Sequence, residues 1–129
     1  MHHTYLQEKR RMHIILENNT VTHLKEKYTL LEIDQFQLEP DADPIQAYCV
    51  LDHLQVKDLF NLEEQANLHQ QLIDNYRIRD WKSCERDLLK LQGCWNGQLD
   101  TFYEEIAVRI AKYKQRDPGA DWTPVIQKY

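Results

Sequence analysis

Glycine is scarce in this 129-residue chain, with three residues and no glycine-rich run, so no phosphate-cradling loop is available. Cysteine is also sparse: Cys49, Cys84 and Cys94 make an odd number without C-x-x-C spacing, which fits small, buried, reduced thiols better than a disulfide framework. No apolar run approaches the roughly 20 residues that cross a bilayer. The start, Met1-His2-His3-Thr4 followed by Glu8-Lys9-Arg10-Arg11, lacks the apolar stretch of a secretory signal, so the expected location is the cytoplasm. Positive charge is in deficit. A net charge of -5 with a pI near 5.6 disfavours a nucleic-acid binder, which needs cations concentrated against phosphates.

What remains is 42% hydrophobic and 29% charged residues, an ordinary globular composition, in a chain long enough for one modest core. Residues 1–11 show no period and are expected to form a poorly ordered leader, with Met12 a second candidate start. Residues 12–129 are expected to form a single α+β domain. Over 12–55, strands predominate: His13-Ile14-Ile15-Leu16 predicts a short strand ended by Glu17-Asn18-Asn19, and Thr20 caps one or two helical turns through Tyr28. Alternation at Leu31 and Ile33, continuing less regularly to Phe36 and Leu38, predicts a second strand, and Ile45 to Leu51 a third. The prolines and acids of Glu39-Pro40-Asp41-Ala42-Asp43-Pro44 make the turn between them. The expectation is a small antiparallel sheet of about three strands.

Residues 61–116 predict a layer of three helices. Asn61 and Glu64 form a capping-box-like start to a first helix, with Leu62, Ala66, Leu72, Ile73 and Tyr76 at helical spacing as far as Arg79. Asp80 caps a second, whose face carries Trp81, Cys84, Leu88 and Leu91 before Gly93 stops it. Leu99, Phe102, Tyr103, Ile106, Ala107, Ile110 and Tyr113 mark a third, ended by Asp117-Pro118-Gly119. The tail, 117–129, is expected to pack back.

Leu72, Tyr76, Asp80-Trp81, Cys84 and Leu88 resemble one tetratricopeptide-type helix pair, in which an aromatic late in the first helix and a small residue in the second allow close approach. One pair plus a third helix falls short of a solenoid. From Leu72 to Val125 the chain also resembles the C-terminal appendage that follows the catalytic domain of many bacterial class III adenylate cyclases. Tyr76, Asp80-Trp81, Tyr103, Arg109, Pro118 and Asp121-Trp122 carry this likeness, and the chain departs from it at Thr123-Pro124, where that family continues Asp-Gly. The resemblance implies packing rather than chemistry, with Trp122 folding back against Trp81 or Tyr76. The cyclase domain itself needs far more chain than precedes Leu72. From Met12 onward the chain resembles small proteins of contractile-tailed marine cyanophages, which implies an infected cyanobacterial cytoplasm as its setting.

Candidate chemistry is thin. None of the six histidines forms H-E-x-x-H or a Cys/His zinc spacing, so no metal or cofactor is expected. Cys49 with Asp52-His53 is better read as a strand-end polar cluster than as a thiol and its base. Glu63-Glu64 and Glu104-Glu105 sit near helix starts, where the dipole accounts for them. From Leu31 to Gln65 nine acids face a single base, Lys57. Glu39, Asp41, Asp43, Asp52 and Asp58 are therefore a candidate acidic docking edge, and Arg77, Arg79, Lys82 and Arg86 a candidate basic corner. These features predict no enzyme. They predict a non-catalytic module that binds a host or phage protein, with a homo-oligomeric assembly component as the alternative.

Overall fold

A computed structural model describes residues 12–17, 21–51 and 59–129. It is an α+β fold: a four-stranded mixed sheet with one short helix and a layer of three longer ones. The elements are β1 (His13–Leu16), α1 (Val21–Lys27), β2 (Leu30–Gln37), β3 (Ile45–Val50), α2 (Leu62–Arg77), α3 (Trp81–Leu91), a 3-10 turn (Cys94–Gly97), α4 (Asp100–Gln115) and β4 (Val125–Gln127). The strand order is β1-β3-β2-β4. β3 lies between two neighbours and is covered on both faces, so Gln46 to Cys49 are all buried and the strand reads as a continuous run rather than an alternation.

Both β1 and β2 pair with β3 antiparallel, but the sheet is not purely antiparallel. The tail adds β4 parallel to β2, with Val125 opposite Gln35 and Ile126 opposite Phe36. A parallel neighbour needs a long crossover, which α2 to α4 supply. Cys49 lies on the face that meets α4, close enough to Tyr103 to influence its hydroxyl. Tyr48 points the other way along the pleat, and there Lys25 of α1 sits 5.1 Å above its ring.

A register shift between Glu32 and Gln35 interrupts the β2–β3 ladder. Gln46 Nε2 donates to the carbonyl of Ile33 at 3.2 Å and to that of Ala47 at 2.8 Å, so side-chain amide bonds replace ladder bonds at the bulge. Arg77 Nη2 then donates to Gln46 Oε1 at 2.9 Å and to Glu32 Oε1 at 3.2 Å. On the same strand Asp34 receives both ends of the Arg109 guanidinium, at 2.8 and 3.1 Å.

The helices start and stop for local reasons. Asp80 accepts from the Ser83 backbone N–H at 3.2 Å and from its hydroxyl at 2.7 Å, the cap expected for α3, and these bonds lower the Asp80 pKa. Asn61 is not a side-chain cap. Its ψ of 16° is outside the extended region an N-cap needs, and only its carbonyl is used, by Gln65. Helix α2 ends at Arg77, two residues earlier than its pattern suggests, because Arg79 turns into the left-handed region at φ 64°. Glu63 and Glu64 do lie in the first turn of α2, whereas Glu104 and Glu105 fall beyond the first turn of α4, which holds Asp100.

Helices α2 and α3 form a hairpin across a three-residue connection. Cys84 is fully buried, its Sγ 3.8 Å from the Leu72 carbonyl, so a small residue does permit close approach here. The buried Asp87 carboxylate is satisfied from α2, by Gln71 at 3.1 Å and Asn75 at 3.2 Å. One cluster joins Leu31, Ile33, Ala47 and Cys49 of the sheet to Leu72, Leu91, Phe102 and Ile106 of the helices. Among the described residues, no helix is long and apolar enough to cross a membrane.

Candidate interaction surface

Tyr76, Trp81 and Trp122, three of the residues that carry the resemblance given above, come together with Tyr113 at one end of the helical layer. Trp122 contacts both Tyr76 and Trp81, each with ring centroids 5.6 Å away in edge geometry, and Tyr113 lies 5.3 Å from Trp81 and 5.5 Å from Trp122. Arg79 covers the outside, its guanidinium 5.0 Å above the Trp122 ring and donating to the carbonyls of Gly119 and Trp122. Burial pushes the Tyr76 hydroxyl pKa far up. Such contacts contribute about 0.5–1.5 kcal/mol per aromatic pair beyond area burial, so this end is a structural closure.

Tyr103 belongs to a second constellation, a buried chain of hydrogen bonds. Trp95 Nε1 donates to the Tyr103 hydroxyl at 3.0 Å, that hydroxyl lies 2.8 Å from His69 Nδ1, and His69 Nε2 lies 2.6 Å from the Glu32 carbonyl. The indole can only donate and the carbonyl can only accept, which puts a proton on Nε2; because burial disfavours the imidazolium, His69 is neutral and Tyr103 donates to Nδ1. Burial lowers the His69 pKa, against the opposing pull of the Glu32 carbonyl, and raises that of Tyr103. Neither His69 nor Trp95 stood out in the sequence. Trp95 is fully buried although its backbone is left-handed, with φ 60°, in a turn that continues through Asn96 and Gly97.

The charged candidates separate in space. Glu39, Asp41 and Asp43 are exposed together in the β2–β3 turn, while Asp52 and Asp58, like His53, lie outside the described residues. The basic corner is not one open patch: Arg77 turns to the sheet, Arg79 to the tail, and of the four only Lys82 and Arg86 are exposed, on α3. Cys49 and Cys84 are buried, and burial pushes the Cys84 thiol up to about 12. Among the described residues no group of three or more His, Cys, Asp or Glu is placed to hold a metal.

An apolar concavity lies elsewhere, between α3 and α4. It encloses about 500 Å³. Buried Leu88 and Tyr103 make its floor, and Leu89, Ala107 and Val108 its walls, with Glu85 and Glu104 beside them. Leu89 is 79% exposed and Val108 56%, large apolar side chains left in water next to a depression they could help fill. A shallower hollow of about 330 Å³ adjoins it, so that Val108 and Glu104 form a ridge between the two. The spacing of Leu88 and Leu89 with Gln92, and of Glu104 with Ala107 and Val108, is that of helix faces. Leu89 and Val108 could have been found in the sequence only as apolar residues off the main stripes.

The architecture defines an α+β protein whose sheet supports a layer of three helices. Comparison with protein-family models, curated proteins and solved structures finds no match to the chain.

Proposed function

We propose that the chain is a non-catalytic interaction module that docks another protein on its α3–α4 face and so alters that protein's activity. The observation that carries this reading is the apolar groove flanked by Leu89 and Val108. The likeness to cyanophage proteins supports a setting inside an infected cyanobacterium, with a host or phage protein as the partner. The exposed Glu39, Asp41 and Asp43 favour a positively charged partner approaching from the β2–β3 turn.

The test is a paired capture with the intact chain and a Leu89→Glu/Val108→Glu variant, from infected and uninfected lysate. One stoichiometric protein retained by the first and lost by the second supports the reading. Capture that the variant leaves unchanged sinks it.

Homo-oligomeric assembly is the second reading, favoured by β1. Among the described residues this edge strand pairs only with β3, and its Ile14 is 50% exposed and Leu16 37%. Edge strands of this kind template further pairing. A mass above the monomer by light scattering, reduced by Ile14→Lys but not by Leu89→Glu, would favour assembly.

A further inference from the structure

The α3–α4 groove restricts the shape and charge of what can occupy it. We infer that its occupant is an amphipathic helix of a partner protein, with apolar anchors spread over two turns and basic residues beside them. This inference rests on the interaction reading above and specifies its ligand.

Shape comes first. The α3 wall runs from Glu85 to Gln92, which at 1.5 Å per residue is about 10 Å, or two helical turns. A helix lying along it presents side chains at i, i+3 or i+4, and i+7 to the same stretch. Both walls are helical, so their ridges recur at three- and four-residue spacing and receive the ridges of a third helix. An extended peptide has no comparable fit, because the walls have no strand edge to offer and their backbone groups are bonded within the helices.

The described residues of this chain do not fill the site. A further helix continuing the stacking of α2, α3 and α4 would cover the groove. After α4, however, the chain turns at Asp117, packs Trp122 against Tyr76 and Trp81, and pairs β4 with β2. That aromatic end involves the start of α3 and the end of α4, whereas the groove lies along the later part of α3 and the earlier part of α4. Among the described residues, the face is left open by the path of the backbone after α4.

Charge selects among helices. The ionised side chains lining the groove are Glu85 and Glu104, and the adjoining hollow adds Glu105 and Arg109. Lys114 already holds Glu85 at 2.9 Å, and Arg109 is committed to Asp34 while lying 3.6 Å from Glu105. Glu104 makes no hydrogen bond or ion pair among the described residues, so it is the carboxylate a bound Lys or Arg would meet. A second copy docking face to face would bring two such acidic ridges together, which argues against self-association here.

The test uses a displayed library of helix-forming peptides, balanced among basic, neutral and acidic members and selected against the full chain. Enriched peptides are expected to show apolar residues at i, i+3 or i+4, and i+7 flanked by Lys or Arg. Leu89→Glu or Val108→Glu should weaken their binding about 30-fold, as loss of a central anchor does, and Glu104→Lys several-fold with reduced salt sensitivity. Circular dichroism and the unfolding midpoint of each variant confirm that the exposed substitution leaves the fold intact. Enrichment of acidic or neutral helices, still dependent on Leu89, overturns the basic occupant and leaves the docking face standing. Enriched peptides with no helical spacing overturn the helical form. Failure to enrich any peptide that depends on Leu89 and Val108 overturns both this inference and the reading beneath it.

Discussion

His69 Nδ1 accepts the hydroxyl proton of Tyr103 across 2.8 Å, and this bond ties α2 to α4 inside the core. Through its other nitrogen His69 reaches the β2 carbonyl of Glu32, and through its oxygen Tyr103 holds Trp95, so four separate segments share one chain of donors and acceptors. Each buried polar group in it is satisfied by the next. Donation from Tyr103 to Nδ1 requires a neutral imidazole.

That requirement makes stability depend on pH. The folded-state pKa of His69 lies below its ordinary 6.5, with burial the main cause, so the unfolded chain binds the proton more readily. Its contribution is complete above about pH 6.5 and is lost as pH falls below that value toward the folded-state pKa, with a slope of at most about 1.4 kcal/mol per pH unit. Urea unfolding at intervals between about pH 7.5 and 5.5 should show this decline. His69→Gln should be less stable throughout but flatter across the window, and an unchanged slope would assign the effect to other groups.

Tyr103→Phe keeps the ring and removes the hydroxyl. It leaves the Trp95 N–H without an acceptor and His69 Nδ1 without a donor, at about 1–3 kcal/mol for each buried orphan, or about 2–6 kcal/mol in all. Combined with His69→Leu, the second loss should be smaller than the sum, because one orphan is then gone. Additive losses would show that the two side chains do not act together.

Much of this was legible in the chain, and the exceptions have physical reasons. The strands from His13 and Leu30, the continuous run at Ile45, and the helices ending at Gly93 and Asp117 all follow from periodicity and end signals. His69 lies three residues after Ala66 and three before Leu72, so spacing placed it on the apolar face while its residue type concealed that. Trp95 sits in a short stretch between Gly93 and Gly97, and the left-handed backbone that turns its ring inward has no periodic signature. β4 has three residues after a proline, too few to alternate, and exists only because β2 offers an edge. The partners Asp34 and Arg109 are 75 residues apart, beyond any local pattern.

The tail depends on its aromatic anchor. Trp122→Ala should cost about 2–3 kcal/mol, less than the loss of a fully buried aromatic because Trp122 is only half-buried. The loss should be local first. The Lys128 amide, which donates to the Gln37 carbonyl at 2.8 Å, should exchange with solvent much faster, while amides of the β2–β3 ladder keep their protection. Equal loss of protection across the sheet would mean that the tail is not a separable closure.

Two ion pairs in this protein should respond oppositely to salt and to truncation. Arg109 and Asp34 are largely covered, with side-chain exposures of 24% and 11%, and meet in two-pronged geometry at the bulge of β2. Burial alone would lower the Arg109 pKa, yet the bonds and charge of Asp34 outweigh it and raise that value, so the pair stays ionised. Arg109→Met strands a covered carboxylate at an irregular strand and should cost about 2–3 kcal/mol, with little relief at high salt because a covered pair is poorly screened. Asp34→Asn in the same chain removes the stranded charge and should recover part of that loss. Lys114 and Glu85 are about half exposed, and Lys114→Met should cost no more than about 1 kcal/mol, vanishing near 1 M salt. Unfolding midpoints of the three variants and of the unaltered protein at low and high salt make the comparison. Equal costs for the two pairs would mean that the bulge is held by Gln46 and Arg77 alone.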